Sequence, residues 1–312
     1  MNLMPMHDTW FVIINPAAGN GRAGKKWEAV RTELDRMTIQ YLIVVSDHQG
    51  HVKELAYHAL NDGYSKFISV GGDGTHHELI NGLLNNQVRT GPPTVALVNA
   101  GTGNDWARTH KIPDDAILCA DMISKTETLD HSAGLITYTL DNHIRHRYFM
   151  NVAGMALDGR VVEKFPVSLR RYPFLPGYLI AGLRQLATYR APDIVIETED
   201  NIISDRFLTV HAGICRYSGG GMRFVPHADP STEDLAITCV RNISIPRLLG
   251  NIHRLYLGTL LSHPKALGFR CKQIKISSPY GEEIPIEADG EFLGYSPVSI
   301  SIVPKAFKLV VP

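Results

Sequence analysis

Four short apolar runs alternate with helical patterns in the first third of the chain, and this alternation constrains the fold more than any other feature. Within residues 24–37, the apolar side chains recur at spacings of three and four, which is typical of a helix with one buried face. Strands that are apolar on both faces and separated by helices form a parallel sheet covered on both faces. The predicted strands are residues 10–14, 41–45, 67–70 and 94–98, and the predicted helices are residues 24–37, 52–59 and 78–84.

The pattern changes near Thr126, where strand-like segments separated by Gly, Pro, Asn and Asp begin. Two helical stretches, near residues 178–189 and 245–261, interrupt them, and the whole indicates a β-rich, sandwich-like second domain. We expect an α/β domain over residues 1–128, completed by the C-terminal tail 304–312, and the β-rich domain over residues 129–303. The strand-like segments are residues 147–152, 193–198, 207–212, 236–240, 273–277 and 298–303.

The composition excludes several classes of protein. The 31 Lys and Arg residues balance 31 Asp and Glu residues, so no chain-wide positive surface exists for gripping nucleic acid. The four cysteines lie far apart, which argues against a zinc site or a disulfide framework. No run approaches the ~18 apolar residues of a membrane span, and the first ten residues lack an export signal. We therefore expect a cytoplasmic protein without a nucleic-acid partner.

A glycine-rich loop follows the first predicted strand. Gly19, Gly21 and Gly24 form a G-x-G-x-x-G pattern, and Asp47 lies 23 residues after Gly24, as in a dinucleotide fingerprint. The same loop nearly matches a Walker loop, but Lys26 stands at the Ser/Thr position. Both templates fit in part, and a turn without any ligand is a third reading. In both the dinucleotide fingerprint and the Walker loop, backbone amides at a helix N-terminus bind phosphate.

Two further loops each place a carboxylate among glycines directly after a predicted strand. Residues 71–75 read Gly-Gly-Asp-Gly-Thr and carry Asp73; we interpret Gly74 as supplying an unusual dihedral. Residues 99–105 offer the Thr102 hydroxyl and end on Asp105. In a simpler interpretation, Asp105 only caps the helix that follows. Carboxylate repels phosphate, so the arrangement suits a bridging divalent cation. Phosphoryl transfer needs such a cation, whereas hydride transfer does not.

These motifs together resemble the diacylglycerol kinase catalytic family, which includes bacterial lipid kinases and sphingosine kinases. The resemblance rests on Asn-Pro-x-x-Gly at 15–19, residues 71–75 and Gly-Thr-Gly-Asn-Asp at 101–105. It extends to the Gly-rich stretch 217–226 and to Asp289-Gly290-Glu291 with residues 304–307, so it covers nearly the whole chain. It implies a nucleotide-binding first domain, a lipid-substrate second domain, ATP and Mg²⁺ as cofactors, and a lipid substrate at a membrane surface. Formation of a homodimer is a further expectation that the sequence leaves open.

The resemblance also implies roles for individual residues. Asp73 and Asp105 would orient the Mg²⁺-triphosphate, and Glu291 would be the general base that deprotonates the lipid hydroxyl. The expected nucleotide-binding residues are Asn15, Pro16, Ala17, Ala18, Gly19, Ser46, Gly72, Asp73, Gly74, Thr75, Glu78 and Thr102. A structural Mg²⁺ would be held by the Asp234 side chain with the carbonyls of Ser231 and Ala236, although Leu235 replaces the family's usual Gly.

Several alternatives stay open at the level of sequence. An NAD kinase or soluble-alcohol kinase would use the same loop at 71–75, a non-catalytic regulator would bind nucleotide or lipid, and a Rossmann oxidoreductase would leave Asp73 and Asp105 unexplained. The segment Asp289-Gly-Glu291 read in isolation predicts a hairpin turn with a solvated Glu. Residues 170–178, with Phe174 and Leu175, form either a packed connection or an interfacial patch for peripheral membrane association. We interpret most of the histidines as ordinary surface or turn residues.

Overall fold

Four parallel strands form the first sheet, in the order β2–β1–β3–β4. Helices α1 and α5 pack together, as do α2 and α3, so the sheet is covered on both faces and the predicted α/β class is confirmed. In the computed structural model, which describes residues 8–86, 91–141, 143–164 and 189–312, the bounds are as follows. The strands are β1 (Trp10–Ile14), β2 (Tyr41–Val45), β3 (Lys66–Gly71) and β4 (Thr94–Asn99), and the helices are α1 (Ala23–Arg36), α2 (His51–Asn61), α3 (Asp73–Leu84), α4 (Asp105–His110) and α5 (Ala116–Lys125).

The second domain is built mainly from antiparallel strands, and the predicted β-sandwich is confirmed. Central strand β9 pairs with β7, β8 and β10. The elements are β5 (Thr128–Leu140), β6 (His143–Phe149), β7 (Val152–Ala156), α6 (Leu157–Lys164), β8 (Asp193–Thr198), β9 (Ile202–Gly213), β10 (Leu235–Arg241), α7 (Ile245–Asn251), α8 (His253–Leu257), β11 (Ala266–Cys271), β12 (Gln273–Ser277), β13 (Pro285–Ala288), β14 (Glu291–Tyr295) and β15 (Val298–Val310).

One strand ties the two domains together. β15 runs antiparallel to β5 and β12, and near its end Lys308 and Leu309 pair in parallel with β4. The buried core is correspondingly continuous from Trp27 under the first sheet to Ile286 in the second domain. The loop after β4 meets a loop of the second domain, where the amides of Gly220 and Gly221 donate to Asp105.

Two of the predicted helices differ from the described structure or lie outside it. The helix predicted over 245–261 ends earlier, at Leu257, because Gly258 adopts a left-handed conformation (φ 72°) that stops it. The helix predicted near residues 178–189 and the segment 170–178 with Phe174 and Leu175 lie outside the described residues, apart from Tyr189. Among the residues that are described, no helix is long and apolar enough to cross a membrane.

Candidate active site

The carboxyl ends of all four parallel strands meet at one edge of the sheet, as expected for a ligand-binding crevice. Asn15 follows β1, and its Nδ2 donates to the Thr75 hydroxyl at 3.0 Å while its Oδ1 accepts from the Ala17 amide at 3.1 Å. Buried Ser46 follows β2 and donates its amide to the Ile14 carbonyl at 2.9 Å. The structure thus brings these predicted nucleotide-binding residues together, with Pro16 and Ala18 in the same loop.

Glycines allow the loops at this edge to touch backbone to backbone. A Cβ on Gly101 would lie 2.7 Å from the Gly72 Cα, so neither loop tolerates a side chain there. A Cβ on Gly19, which has φ 60°, would lie 1.8 Å from the Ala100 carbonyl oxygen. These contacts lock the first, third and fourth loops into one surface lined by amides.

Gly74 serves a different purpose from the one expected of it. The interpretation that it supplies an unusual dihedral is wrong, because Gly74 lies within helix α3 and is absent from the left-handed glycines. A Cβ at this position would meet no atom within 4 Å. Its missing side chain therefore leaves open space over the N-terminus of α3, where an anion is favoured.

Asp73, the first residue of α3, holds the start of another helix. Its carboxylate accepts the backbone amides of Asp105 at 3.1 Å and of Trp106 at 3.3 Å. The capping carboxylate of α4 is therefore Asp73, and the reading of Asp105 as that cap is wrong; Asn104 occupies the cap position without a side-chain bond. Burial, followed by repulsion from Asp105, raises the pKa of Asp73 to about 6.

The second domain holds Asp105 through its glycine-rich loop. The amides of Gly220 and Gly221 donate to the two Asp105 carboxylate oxygens at 2.7 Å and 2.6 Å, and Arg108 Nη1 lies 3.1 Å from one of them. Even with these donors, burial raises the pKa of Asp105. The Arg108 guanidinium also lies over the Tyr217 ring, 5.7 Å from its centre.

A divalent cation fits the chemistry of this carboxylate pair. Both carboxylates border Gly103: its Cβ would lie 3.0 Å from Asp73 Oδ2 and 4.0 Å from Asp105 Oδ2. Their pKa values are raised by burial, which means that the amides around them compensate their charge incompletely. Oxygen ligands are those that Mg²⁺ prefers, so a cation here would relieve the uncompensated charge.

The remaining residues of the predicted nucleotide site follow the same edge. Glu78, one turn along α3, accepts the Gly50 amide at 3.1 Å, and burial raises the pKa of its carboxyl group. Thr102 is exposed on the 99–105 loop. A cavity of about 340 Å³ lies beside this loop, and its lining includes the cationic side chains Arg108 and Lys111.

Glu291 opens β14, directly after a two-residue hairpin turn. Asp289 (φ 48°) and Gly290 (φ 86°) both have positive φ, as a tight Asp-Gly hairpin requires. The predicted hairpin is therefore present, but Glu291 is not simply solvated. Its side chain is 32% exposed, and Oε2 lies 3.2 Å from Arg147 Nη2.

Asp289 anchors this hairpin to the rest of the protein. Its side chain is 1% exposed, and it accepts the amides of Met150, Asn151 and Val152 at 2.9 Å to 3.2 Å. His77 Nδ1 donates to it at 2.9 Å. Four donors thereby hold the Asp289 carboxylate in place. This fixes the position of Glu291, two residues further along the chain.

Sequence reasoning missed His77, which the structure places between the two acidic residues of the hairpin. Nδ1 of His77 contacts Asp289, and Nε2 of the same ring lies 3.8 Å from Glu291 Oε2. Asn81 Nδ2 also lies 3.2 Å from that nitrogen. The available signal was the spacing of four: Asp73, His77 and Asn81 share one face of α3.

The residues of the predicted structural metal site lie in one turn and the strand after it. The exposed Ser231 donates its amide and hydroxyl to Asp229, while Asp234 is half-buried and its carbonyl accepts from the Thr232 hydroxyl at 3.4 Å. Ala236 lies in β10, paired with both β9 and β11. The role of these three residues stays a prediction.

Both domains match known families. Residues 9–135 match the diacylglycerol kinase catalytic domain, and residues 152–311 match the YegS C-terminal NAD kinase beta sandwich-like domain. The fold also resembles a diacylglycerol kinase from Bacillus anthracis (strain Sterne), with a TM-score of 0.73 and 20% identity over 98% of this chain and 97% of that one. A more distant likeness in fold is the yeast NADH kinase, with a TM-score of 0.50 and 12% identity, covering 97% of this chain and 83% of that one.

Curated relatives match over the same length. The Bacillus subtilis (strain 168) protein named "Putative lipid kinase YtlR" is 29% identical, covering 96% of this chain and 98% of its own. The diacylglycerol kinase of Staphylococcus haemolyticus (strain JCSC1435) is 26% identical, covering 96% and 87% respectively. With a family matched across each of its two domains, this chain belongs to the diacylglycerol kinase catalytic family.

Proposed function

We propose that this protein is an ATP- and Mg²⁺-dependent lipid kinase that transfers the γ-phosphoryl group to a hydroxyl of diacylglycerol or a related lipid. Membership of the diacylglycerol kinase catalytic family supports the lipid kinase class. The donor, the metal and the lipid are the finer parts of the proposal, and they rest on the chemistry of the site.

The loops at the sheet edge supply what a nucleotide triphosphate needs. Amides at the N-terminus of α3, beside the open space over Gly74, would hold phosphate oxygens, and Asn15 with Thr75 would set the loop position. Asp73 and Asp105 would hold Mg²⁺, which when bound supplies charge neutralisation for the transferring group. The Arg108 and Lys111 side chains add positive charge beside the same loop.

Glu291 is the group placed to accept a proton from the lipid hydroxyl. It is partly exposed, and Arg147 Nη2 lies 3.2 Å from its Oε2, so Oε1 is the oxygen that would accept the proton. His77 and Asp289 act as positioning residues, because they contact Glu291 and its turn rather than the reacting atoms. A base of this kind contributes about 10²–10⁴-fold to such reactions.

One observation carries the proposal: helix α3 contacts every part of the site. Its first residue, Asp73, accepts from the amide of Asp105 and is thereby next to the loop that carries the second carboxylate. One turn later, His77 contacts Asp289 and lies 3.8 Å from Glu291. Segments more than 200 residues apart in sequence therefore meet on one helix, with phosphate-binding loops on one side and a base on the other.

The direct test is transfer from ATP labelled in its γ-phosphate. The protein is assayed with diacylglycerol in mixed micelles, and in parallel with NAD and with glycerol, each with Mg²⁺ or EDTA. The proposal expects label in the organic phase that depends on Mg²⁺. Labelled NADP would instead support the NAD kinase alternative. No label in any product would reject both.

A further inference from the structure

Helices α7 and α8 expose a row of large apolar side chains. Leu249, Ile252, Tyr256 and Leu257 are 44%, 42%, 54% and 64% exposed. Ile252, between the two helices, itself has helical backbone angles (φ −56°, ψ −34°), so the path is helical from one element into the next. Spacings of three and four from Leu249 to Ile252 to Tyr256 place these side chains on one side, which we call the α7–α8 face.

The α7–α8 face is not needed to hold the helices on the protein. That role belongs to Leu248 and Leu255, seven residues apart, which pack against the buried cluster of Leu208, Val240 and Leu260. Exposed apolar side chains of this size, gathered in one place, indicate a contact surface rather than a core.

The segment that carries this face has a pronounced positive charge. Between Leu235 and Gly281 the chain has seven Lys and Arg residues and no Asp or Glu, although the whole chain is balanced at zero. Of these, Arg247 and Lys265 are exposed close to the face in sequence. An apolar row with basic neighbours matches the surface of a bilayer that contains anionic lipids.

The α7–α8 face is also connected to the active site. The Leu255 carbonyl accepts the Arg223 amide at 2.7 Å, and the Arg223 guanidinium lies over the Tyr217 ring at 5.4 Å. The same loop, two residues before Arg223, supplies the amides that hold Asp105. A surface held against α8 would therefore lie next to the loop that positions a catalytic carboxylate.

We propose that the α7–α8 face is the surface by which this protein docks on anionic phospholipid bilayers. The apolar side chains would enter the boundary between headgroups and acyl chains, and the basic side chains would lie among the phosphates. The inference extends the proposed lipid kinase function, because it states where the enzyme meets the membrane that carries its substrate.

The test measures cosedimentation with vesicles of phosphatidylcholine alone and of phosphatidylcholine mixed with phosphatidylglycerol. The variant Leu249→Ser/Tyr256→Ser/Leu257→Ser removes the apolar row, and Arg247→Gln/Lys265→Gln removes two charges. The matched control is Leu118→Ser on α5, where a leucine is 59% exposed on the first domain. Circular dichroism and thermal unfolding confirm that each variant is folded.

Wild type and the control are expected to bind the anionic vesicles, and more strongly at low salt than at high salt. The apolar variant should bind at least about tenfold more weakly. The charge variant should bind anionic vesicles about 25-fold more weakly at low salt, because each basic residue near the surface contributes about fivefold to the affinity. Equal binding by the wild type and the apolar variant would overturn the inference, as would a wild-type dimer that this variant dissociates without weakening vesicle binding.

The readout separates this inference from the proposed function. Vesicle binding needs neither ATP nor turnover, so it is measured even if no kinase activity is found. If the kinase is active, the apolar variant should keep its transfer rate on lipid in detergent micelles and lose it on vesicles. If the apolar variant transferred phosphate equally well to lipid in micelles and to lipid in vesicles, the docking surface would be contradicted and the kinase assignment would stand.

Discussion

Two requirements conflict at Asp73: its carboxylate must cap a helix, and it must carry a charge while buried. Its carboxylate caps helix α4 through the amides of Asp105 and Trp106, yet its burial raises its pKa to about 6. An ionised group with a raised pKa destabilises the folded state. The cost is fully present above pH 6 and disappears below pH 3.8, the value for an unperturbed Asp. The protein thus keeps a costly charge where a cation is expected.

Replacing Asp73 separates the charge from the cap. Asp73→Asn keeps an acceptor for one amide and removes the charge, so at pH 8 without divalent cation it should stabilise the protein by about 2 kcal/mol. That is less than the full shift implies, because Asp73 is half-buried. Asp73→Ala also loses the cap and should be about 1 kcal/mol less stable than Asp73→Asn. Urea unfolding measures both.

Phosphoryl transfer should fall by at least about 10²-fold in both Asp73 variants, because positioning and metal charge carry most of the catalysis. An Asp73→Asn protein that is less stable than the wild type at pH 8 would contradict the view that the charge is uncompensated. Retained turnover in either variant would remove Asp73 from the catalytic set.

His77 offers a test of how Glu291 is positioned. His77→Gln should lower kcat by about tenfold, because the Asp289 turn and Glu291 lose the side chain that contacts both. This loss is smaller than the 10²–10⁴-fold expected when a general base is removed. The KM for ATP should stay unchanged, since the loops at the sheet edge are untouched. His77→Asn keeps a shorter donor toward Asp289 and should recover part of kcat. Equal losses in kcat and ATP binding would point to a purely structural role.

At this scale the sequence identified single residues better than their partners. Asp73, Asp105 and Glu291 stand within short motifs, so their candidacy could be stated from the chain alone. His77 could not be chosen among the histidines, because its partner Asp289 lies 212 residues away. The Gly220 and Gly221 contacts with Asp105 were likewise invisible, since backbone amides leave no mark on residue type.

At the scale of elements, the site depends on loops that touch through glycine. Gly72 and Gly101 follow neighbouring strands β3 and β4, whose register pairs Gly71 with Asn99. The loops after them inherit that alignment and meet directly. Any side chain at Gly101 must separate the two loops or distort one of them.

Two glycine variants distinguish loop packing from ligand access. Gly101→Ala should destabilise the protein by about 1–3 kcal/mol through overpacking and raise the KM for ATP. Gly74→Ala should leave stability unchanged or increase it by up to about 1 kcal/mol, because it lies in a helix with open space. It should still raise the KM for ATP, since the methyl group enters the space over α3. Thermal unfolding and ATP titration of kcat measure the two effects.

If Gly74→Ala bound ATP as the wild type does, phosphate would not approach the N-terminus of α3. If Gly101→Ala were as stable as the wild type, the contact between the loops would be unimportant for the fold.

Elements with strong local patterns were predicted closely, and those set by long-range pairing were not. Strands β1 and β2 have the predicted bounds, because both read as continuous apolar runs, β1 fully buried and β2 partly exposed at the sheet edge. The hairpin strands β13 and β14, of four and five residues, were missed as strands: β13 is held by pairing with β7, and β14 by pairing with β13, rather than by any alternation. The long β15 was predicted only to residue 303, since a register shift near Val303 interrupts its pattern.

For the whole molecule, the two domains are joined by polar contacts as well as by β15. Asp105 in the first domain is held by the second domain's loop, and Asp289 in the second accepts from His77 in the first. The predicted boundaries at residues 128 and 303 stay a prediction. Their main physical consequence is that unfolding of either domain should disrupt the active site.

Several buried neutral histidines make the stability of the molecule depend on pH. Burial lowers the pKa of His76 to about 4, so between pH 6.5 and pH 4 the unfolded chain binds a proton that the folded protein excludes. The contribution of His76 is therefore full at pH 7 and is lost as the pH falls. His76→Gln should cost stability at pH 7, and that cost should shrink by about 2 kcal/mol at pH 5. Urea unfolding of both proteins at both pH values measures this difference; a constant cost would show that His76 is protonated in the fold.

The most direct test of the whole account is single-turnover phosphoryl transfer by the wild type and Glu291→Gln, at saturating ATP and diacylglycerol. The matched control is Glu283→Gln, an exposed position before the same hairpin. We predict that Glu291→Gln slows the chemical step by about 10²–10⁴-fold, with ATP binding unchanged and the control equal to the wild type. A chemical step of wild-type speed in Glu291→Gln would contradict the account.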